Sequence, residues 1–142
     1  GKVAMIHSVD SIRLAEAISK EAVKKDVTVD ILIEVNVGME ENKFGITVES
    51  AYEDIKEMAK LPNIAIKGLM TSAPFVENSE DNRKYFRQLK QLSVDIQSKN
   101  IDNVDMGILS MGMTNDYIVA IEEGATIVRV GTAIFGARNY NI

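Results

Sequence analysis

Five apolar or β-branched runs alternate with four stretches of helical periodicity, and this alternation sets the fold class. The runs cover residues 3–7, 29–37, 64–70, 105–109 and 126–130. Between the first two, Asp10 or Ser11 can cap a helix whose inward positions are Ile12, Leu14, Ala15, Ile18 and Ala22. Lys24 and Lys25 close it, favourably for the helix dipole. Thr47 caps a second helix running to Lys60, with Ala51, Ile55, Met58 and Ala59 inward and Pro62 beyond its end. Ser79 opens a third, with Glu80 and Asp81 in its first turn and Tyr85, Phe86, Leu89, Leu92 and Ile96 at helical spacing. Thr114 or Asn115 caps a fourth helix through Ile118, Ile121 and Glu122, and Gly124 takes the position just past its end. The order β-α-β-α-β-α-β-α-β implies a parallel sheet with right-handed helical crossovers. Two architectures satisfy it: a doubly wound five-stranded sheet, or part of an eight-stranded (β/α) barrel.

Composition removes several function classes. The 142 residues contain no cysteine, which excludes a disulfide, a thiol nucleophile and a thiolate metal site. The net charge of −5 argues against a nonspecific nucleic-acid surface. No apolar run approaches the ~18 residues of a membrane span. No histidine or carboxylate cluster has metal-ligand spacing, so no metal is expected. The expectation is a cytoplasmic protein with one domain over residues 1–142.

In both architectures ligands meet the C-terminal ends of the strands. Two segments there suit a phosphate. The first, Leu109-Ser110-Met111-Gly112-Met113-Thr114, joins a strand to a helix start and offers a hydroxyl and free backbone N–H groups. The second, Val128-Arg129-Val130-Gly131-Thr132, adds a guanidinium, a small residue and another hydroxyl. If their strands are adjacent, the two loops can hold one phosphate together. The plainer alternative makes Ser110 and Thr114 helix caps and Gly131 a turn glycine. Arg129 stands in an otherwise apolar run, either as a strand-end salt bridge or facing a ligand. His7, the single histidine, reads as structural. Lys43 lies in a charged loop on the ligand side. Met70, Met106, Met111 and Met113 read as core and pocket wall.

These residues form an ordered series. His7-Ser8-Val9-Asp10-Ser11, Val35-Asn36-Val37 with Lys43-Phe44-Gly45, Gly68-Leu69-Met70, Ser110-Met111-Gly112-Met113, Asp116 and Arg129-Val130-Gly131-Thr132 through Arg138 resemble the YggS/PROSC family. Its members are pyridoxal 5′-phosphate (PLP) homeostasis proteins related to the N-terminal barrel of alanine racemase. The resemblance implies a (β/α)8 TIM-barrel type fold, here a partial barrel covering about strands 4–8. It implies PLP at the mouth, with Ser110, Gly131 and Thr132 on the phosphate, Arg129 toward the pyridine nitrogen, and Asn36 and Met70 lining the pocket. The family's Schiff-base lysine lies on the first barrel strand, and no lysine here is its counterpart. Robust catalysis is therefore not expected of this chain, and its first three βα units are expected to be missing. The expected partners are PLP and PLP-dependent acceptor enzymes, with self-association or pairing to an N-terminal portion to cover open sheet edges. Two alternatives stand beside this: an alanine-racemase-like enzyme, and a generic phosphate-binding doubly wound module.

Overall fold

The computed structural model describes residues 4–37, 45–73, 77–113 and 115–129. Five strands are present: β1 (Ala4–Val9), β2 (Val29–Glu34), β3 (Ile64–Met70), β4 (Val104–Met113) and β5 (Ile127–Arg129). They alternate with α1 (Ile12–Lys25), α2 (Ala51–Met58), α3 (Arg83–Ser98) and α4 (Tyr117–Glu122), and a 3-10 turn (Ser79–Asn82) leads into α3. All four strand pairs are parallel, and the sheet order is β1-β2-β3-β4-β5. A doubly wound sheet contains a switch point where the order reverses. The described strands have none, and the doubly wound alternative is thereby corrected to a run of consecutive βα units, a half-barrel.

The core lies on one face. Ala15 and Ala22 of α1, Ile55 and Met58 of α2, Phe86, Leu89 and Ile96 of α3, and Val119 and Ala120 of α4 join one cluster. Alternate strand residues complete it: Ile31 and Ile33, Ile64 and Ile66, Leu109 and Met111. Leu32 and Met70 are also buried but stand apart from that cluster: Leu32 alternates with Ile31 and Ile33, and on β3 the register shift before Gly68 leaves Leu69 in the cluster and Met70 outside it.

Side-chain caps decide where elements begin. Ser11 caps α1, accepting from the Leu14 N–H at 3.1 Å. Thr47 does not cap α2. Its hydroxyl accepts from the Ser50 N–H at 3.0 Å, closing a turn before the helix, so α2 starts three residues late, with Ser50 in the cap position. Ser79 opens the 3-10 turn and not α3, and Asn78 caps that turn by accepting from the Glu80 N–H. Leu14 is exposed, and Ser19 takes the buried position on α1.

A surface ion cluster ties the start of α3 to the end of α4. Arg83 donates to Glu80 at 2.8 Å, Glu122 at 2.6 Å and Glu123 at 2.7 Å. Arg87 reaches Glu123 at 3.1 Å. Hydrogen bonds from these arginines hold the Glu80 and Glu123 carboxyls below the ordinary glutamate value of 4.5. A carboxyl held low in the folded state adds stability that is present above its unfolded value and is lost as pH falls through the folded one. Arg83→Ala should therefore lower the urea midpoint near neutral pH, and its gap from the parent should close in acid, once pH falls through the lowered folded-state values of these carboxyls. Solvent screening keeps the effect modest. Equal gaps at both pH values would refute this account.

Candidate functional site

The strand register brings four consecutive strands level at their C-terminal edge. Glu34 pairs with Met70, Met70 with Ser110, and Ser110 with Ile127; Met113 pairs with Arg129. Backbone bonds continue past the strand ends. The Val35 N–H donates to the Met70 carbonyl at 2.9 Å, and the Thr71 N–H to the Ser110 carbonyl at 3.1 Å. The Thr71 hydroxyl reaches the Val35 carbonyl at 2.6 Å. Beyond β2, the Asn36 N–H donates to the Ile46 carbonyl and the Ile46 N–H to the Glu34 carbonyl, both at 2.9 Å. These bonds return the chain beside the strand it has just left.

Asn36, Met70 and Ser110 thus stand at one edge, and the backbone of Arg129 ends the neighbouring strand. Ser110 is fully buried, with Leu109 and Met111 directed to the helix side, so its own position faces away from the helices. Gly131, Thr132, Thr114 and Lys43 lie outside the described residues, as does the side chain of Arg129. His7 is half-buried on β1. Met70, Met106 and Met111 are buried, whereas Met113 is 46% exposed.

One expectation changes here. Residues 110–113 are not a strand-to-helix loop with free N–H groups; β4 continues through Met113. The Met113 N–H is donated to the Asp116 carboxylate at 2.7 Å. Asp116, and neither Thr114 nor Asn115, occupies the cap position of α4, with its side chain turned back to the strand. Ile118 and Ile121 of α4 are exposed; Val119 and Ala120 face the core.

Sequence reasoning missed Glu34 and Asn82, and it placed Asp116 in the resemblance without giving it a role. Glu34 is buried and accepts from the Ser8 hydroxyl at 2.7 Å. Asp116 and Asn82 are buried and bonded at 2.9 Å. A charge inside the apolar run of β2 was the available signal for Glu34. For Asp116 it was an acidic residue three positions after a strand end, an Asx-type spacing. An apolar cleft lined by Ile6, Ile18, Ala22, Val27 and Val29 lies between α1 and the sheet. It reaches the N-terminal start of β2, and Glu21 and Lys25 border it. Among the described residues no three histidines or carboxylates converge as a metal site, and no helix is long and apolar enough to cross a membrane.

Consecutive parallel βα units with a polar C-terminal edge define a protein of the (β/α) barrel type. The chain belongs to the alanine racemase N-terminal domain family, whose profile matches residues 2–139. Several of the relatives it matches are named pyridoxal phosphate homeostasis protein. It is 51% identical to the pyridoxal phosphate homeostasis protein of Aquifex aeolicus over 140 residues, covering 99% of this chain and 60% of that protein. Its fold matches a crystal structure of an unknown protein from Bifidobacterium adolescentis with a TM-score of 0.87 and 42% identity, over 92% of this chain and 52% of that one. It also matches PLP-bound PipY of Synechococcus elongatus with a TM-score of 0.80 and 28% identity, over 93% of this chain and 60% of PipY. The chain spans less than two thirds of the length of these relatives.

The tightest approach at the edge is Gly112, whose φ is +102° and whose added Cβ would lie 2.6 Å from the Ala120 Cβ. Gly112→Ala should lower the unfolding free energy by about 2–4 kcal/mol, from overpacking plus the left-handed backbone. Urea denaturation reads this directly; a parental midpoint would show that α4 does not pack so closely on β4.

Proposed function

We propose that the protein binds PLP at the C-terminal edge of its sheet and serves PLP homeostasis as a carrier or buffer. The observation that carries this reading is the row Met70–Ser110 beside β5, which sets a buried hydroxyl next to the strand that leads to Gly131 and Thr132. PLP is bound in PipY, which shares this fold, and the relatives named for PLP homeostasis match nearly the whole chain.

In this reading Ser110, Gly131 and Thr132 hold the phosphate through hydroxyl and backbone N–H groups. Asn36 and Met70 bound the ring. Ser110 is already engaged within the protein, so a phosphate there exchanges one contact for another. Arg129 is the partner of the pyridine nitrogen, where a fixed guanidinium charge disfavours a second proton. Bound PLP supplies an electrophilic aldehyde and an electron-withdrawing ring. An arginine that keeps the ring nitrogen unprotonated weakens that withdrawal, which suits storage better than turnover. The proposal extends to a cytoplasmic setting and to PLP-dependent enzymes as acceptors.

Titration of the purified protein with PLP, followed by absorbance, should give saturable binding that inorganic phosphate competes away. Ser110→Ala should weaken it by about tenfold or more, the value of a hydrogen bond to a charged group. Undiminished binding in that variant would remove the phosphate assignment.

The strands β1 and β5 are the sheet's edges among the described residues, and unpaired parallel edges favour association. We therefore propose self-association or pairing with further barrel strands. Sedimentation of this chain should show concentration-dependent oligomers; a monodisperse monomer across the range would count against it.

A further inference from the structure

We infer that Asp116 is a positioning residue for the phosphate site, holding the end of β4 so that Ser110 and Arg129 keep their relative places. This rests on the reading of Ser110 as a phosphate contact and adds a residue that touches no ligand.

Asp116 is 4% exposed, and both carboxylate oxygens are used. Oδ1 accepts from the Met113 N–H at 2.7 Å, and Oδ2 accepts from Asn82 Nδ2 at 2.9 Å. The backbone reciprocates, since the Asp116 N–H donates to the Met113 carbonyl at 3.1 Å. Met113 and Asp116 thus close a small ring at the strand end. Met113 is also the ladder partner of Arg129, and Ser110 lies three residues earlier on the same strand. One carboxylate therefore links the last residue of β4, the backbone of Arg129 through the ladder, and the buried Asn82 at the entry to α3.

A simple helix cap would not need this residue. A cap's oxygen accepts from an N–H of its own helix, and Asp116 makes no such bond to α4. Burying a carboxylate is costly unless its oxygens are hydrogen-bonded. Here the two oxygens are directed at two different elements, a strand end and a turn, which one hydroxyl could not join. Groups that orient a ligand's direct contacts change affinity by about 10–100-fold when removed, as at metal sites.

The test uses PLP and its unphosphorylated form, pyridoxal, with unfolding midpoints measured alongside. Asp116→Ala should weaken PLP by about tenfold or more while moving pyridoxal by less than about twofold. Asp116→Asn keeps an oxygen for the Met113 N–H and, with the Asn82 amide turned over, a partner for it; it should restore PLP binding to within about threefold. If Asp116→Ala does not fold, Asn82→Ala carries the test, because it removes one of the two donors and should weaken PLP selectively. Ile96→Ala, a core truncation fourteen residues beyond Asn82 near the far end of α3, controls for lost stability alone. Equal weakening of PLP and pyridoxal, or parental PLP affinity in Asp116→Ala beside a weakened Ser110→Ala, would overturn the inference. Parental PLP binding in Ser110→Ala would instead overturn the phosphate reading on which it rests.

Discussion

Every crossover helix in the described residues packs on the same face of a parallel sheet, and most other features follow from that constraint. A parallel pair needs a crossover, and right-handed crossovers between consecutive neighbours return to one side. The core is therefore one-sided, joining helix residues such as Ile55 and Phe86 to alternate strand residues such as Ile31 and Ile66. The intervening strand positions face the other way. There Leu32, Glu34, Met70 and Ser110 are buried without belonging to the helix-side core. Polar side chains at such positions need partners, and Glu34 finds one in Ser8 on the neighbouring strand.

The shortest crossover helix among the described residues follows the strand that carries Ser110. Helix α4 has six residues, too few to be stable by itself. It is held by three different interactions. Gly112 lets Ala120 approach the strand. The Asn82–Asp116 bond joins it to the entry of α3 from inside. Arg83, the next residue after Asn82, gathers Glu80, Glu122 and Glu123 from outside. Adjacent residues thus divide the task, with a neutral amide where solvent is excluded and a charge where water screens it.

The fold was legible where periodicity and composition agreed. The run at 64–70 coincides with β3, and Ser11 caps α1 as its position before the apolar spacing suggested. Reading failed where a side chain chose a local bond over a cap. Thr47 bonds Ser50 before α2 begins, and Asp116 turns back to Met113, so the strand outruns its apolar core by four residues. Glycine at 112 suggested a loop, yet it serves a strand pressed against a helix. Asn36, Met70 and Ser110 were legible as edge positions because each stands at, or within one residue of, the end of an apolar run. Glu34 and Asp116 were not, since an isolated carboxylate in a sequence does not say which partners will surround it.

Register, more than loop shape, sets Ser110 beside Met70. Ile66 pairs with Val104, so an unbroken ladder would set Met70 opposite Ile108. Two extra residues in β4 shift the pairing to Gly68 with Ile108 and Met70 with Ser110. The same irregular stretch changes facing along β4: Met106 joins the helix-side core, whereas Ser110, four residues on, does not. Between β2 and β3 the shift is a single residue, from Ile31–Ile66 to Leu32–Gly68. That step sets Glu34 opposite Met70 instead of Leu69. Gly68 takes part in both irregularities, and its added Cβ would lie 1.8 Å from the Ile108 carbonyl oxygen. Any side chain at 68 would force these strands apart where both offsets meet. The absence of a side chain at this position, one turn of the ladder below the edge, is what permits Glu34, Met70 and Ser110 to share a row.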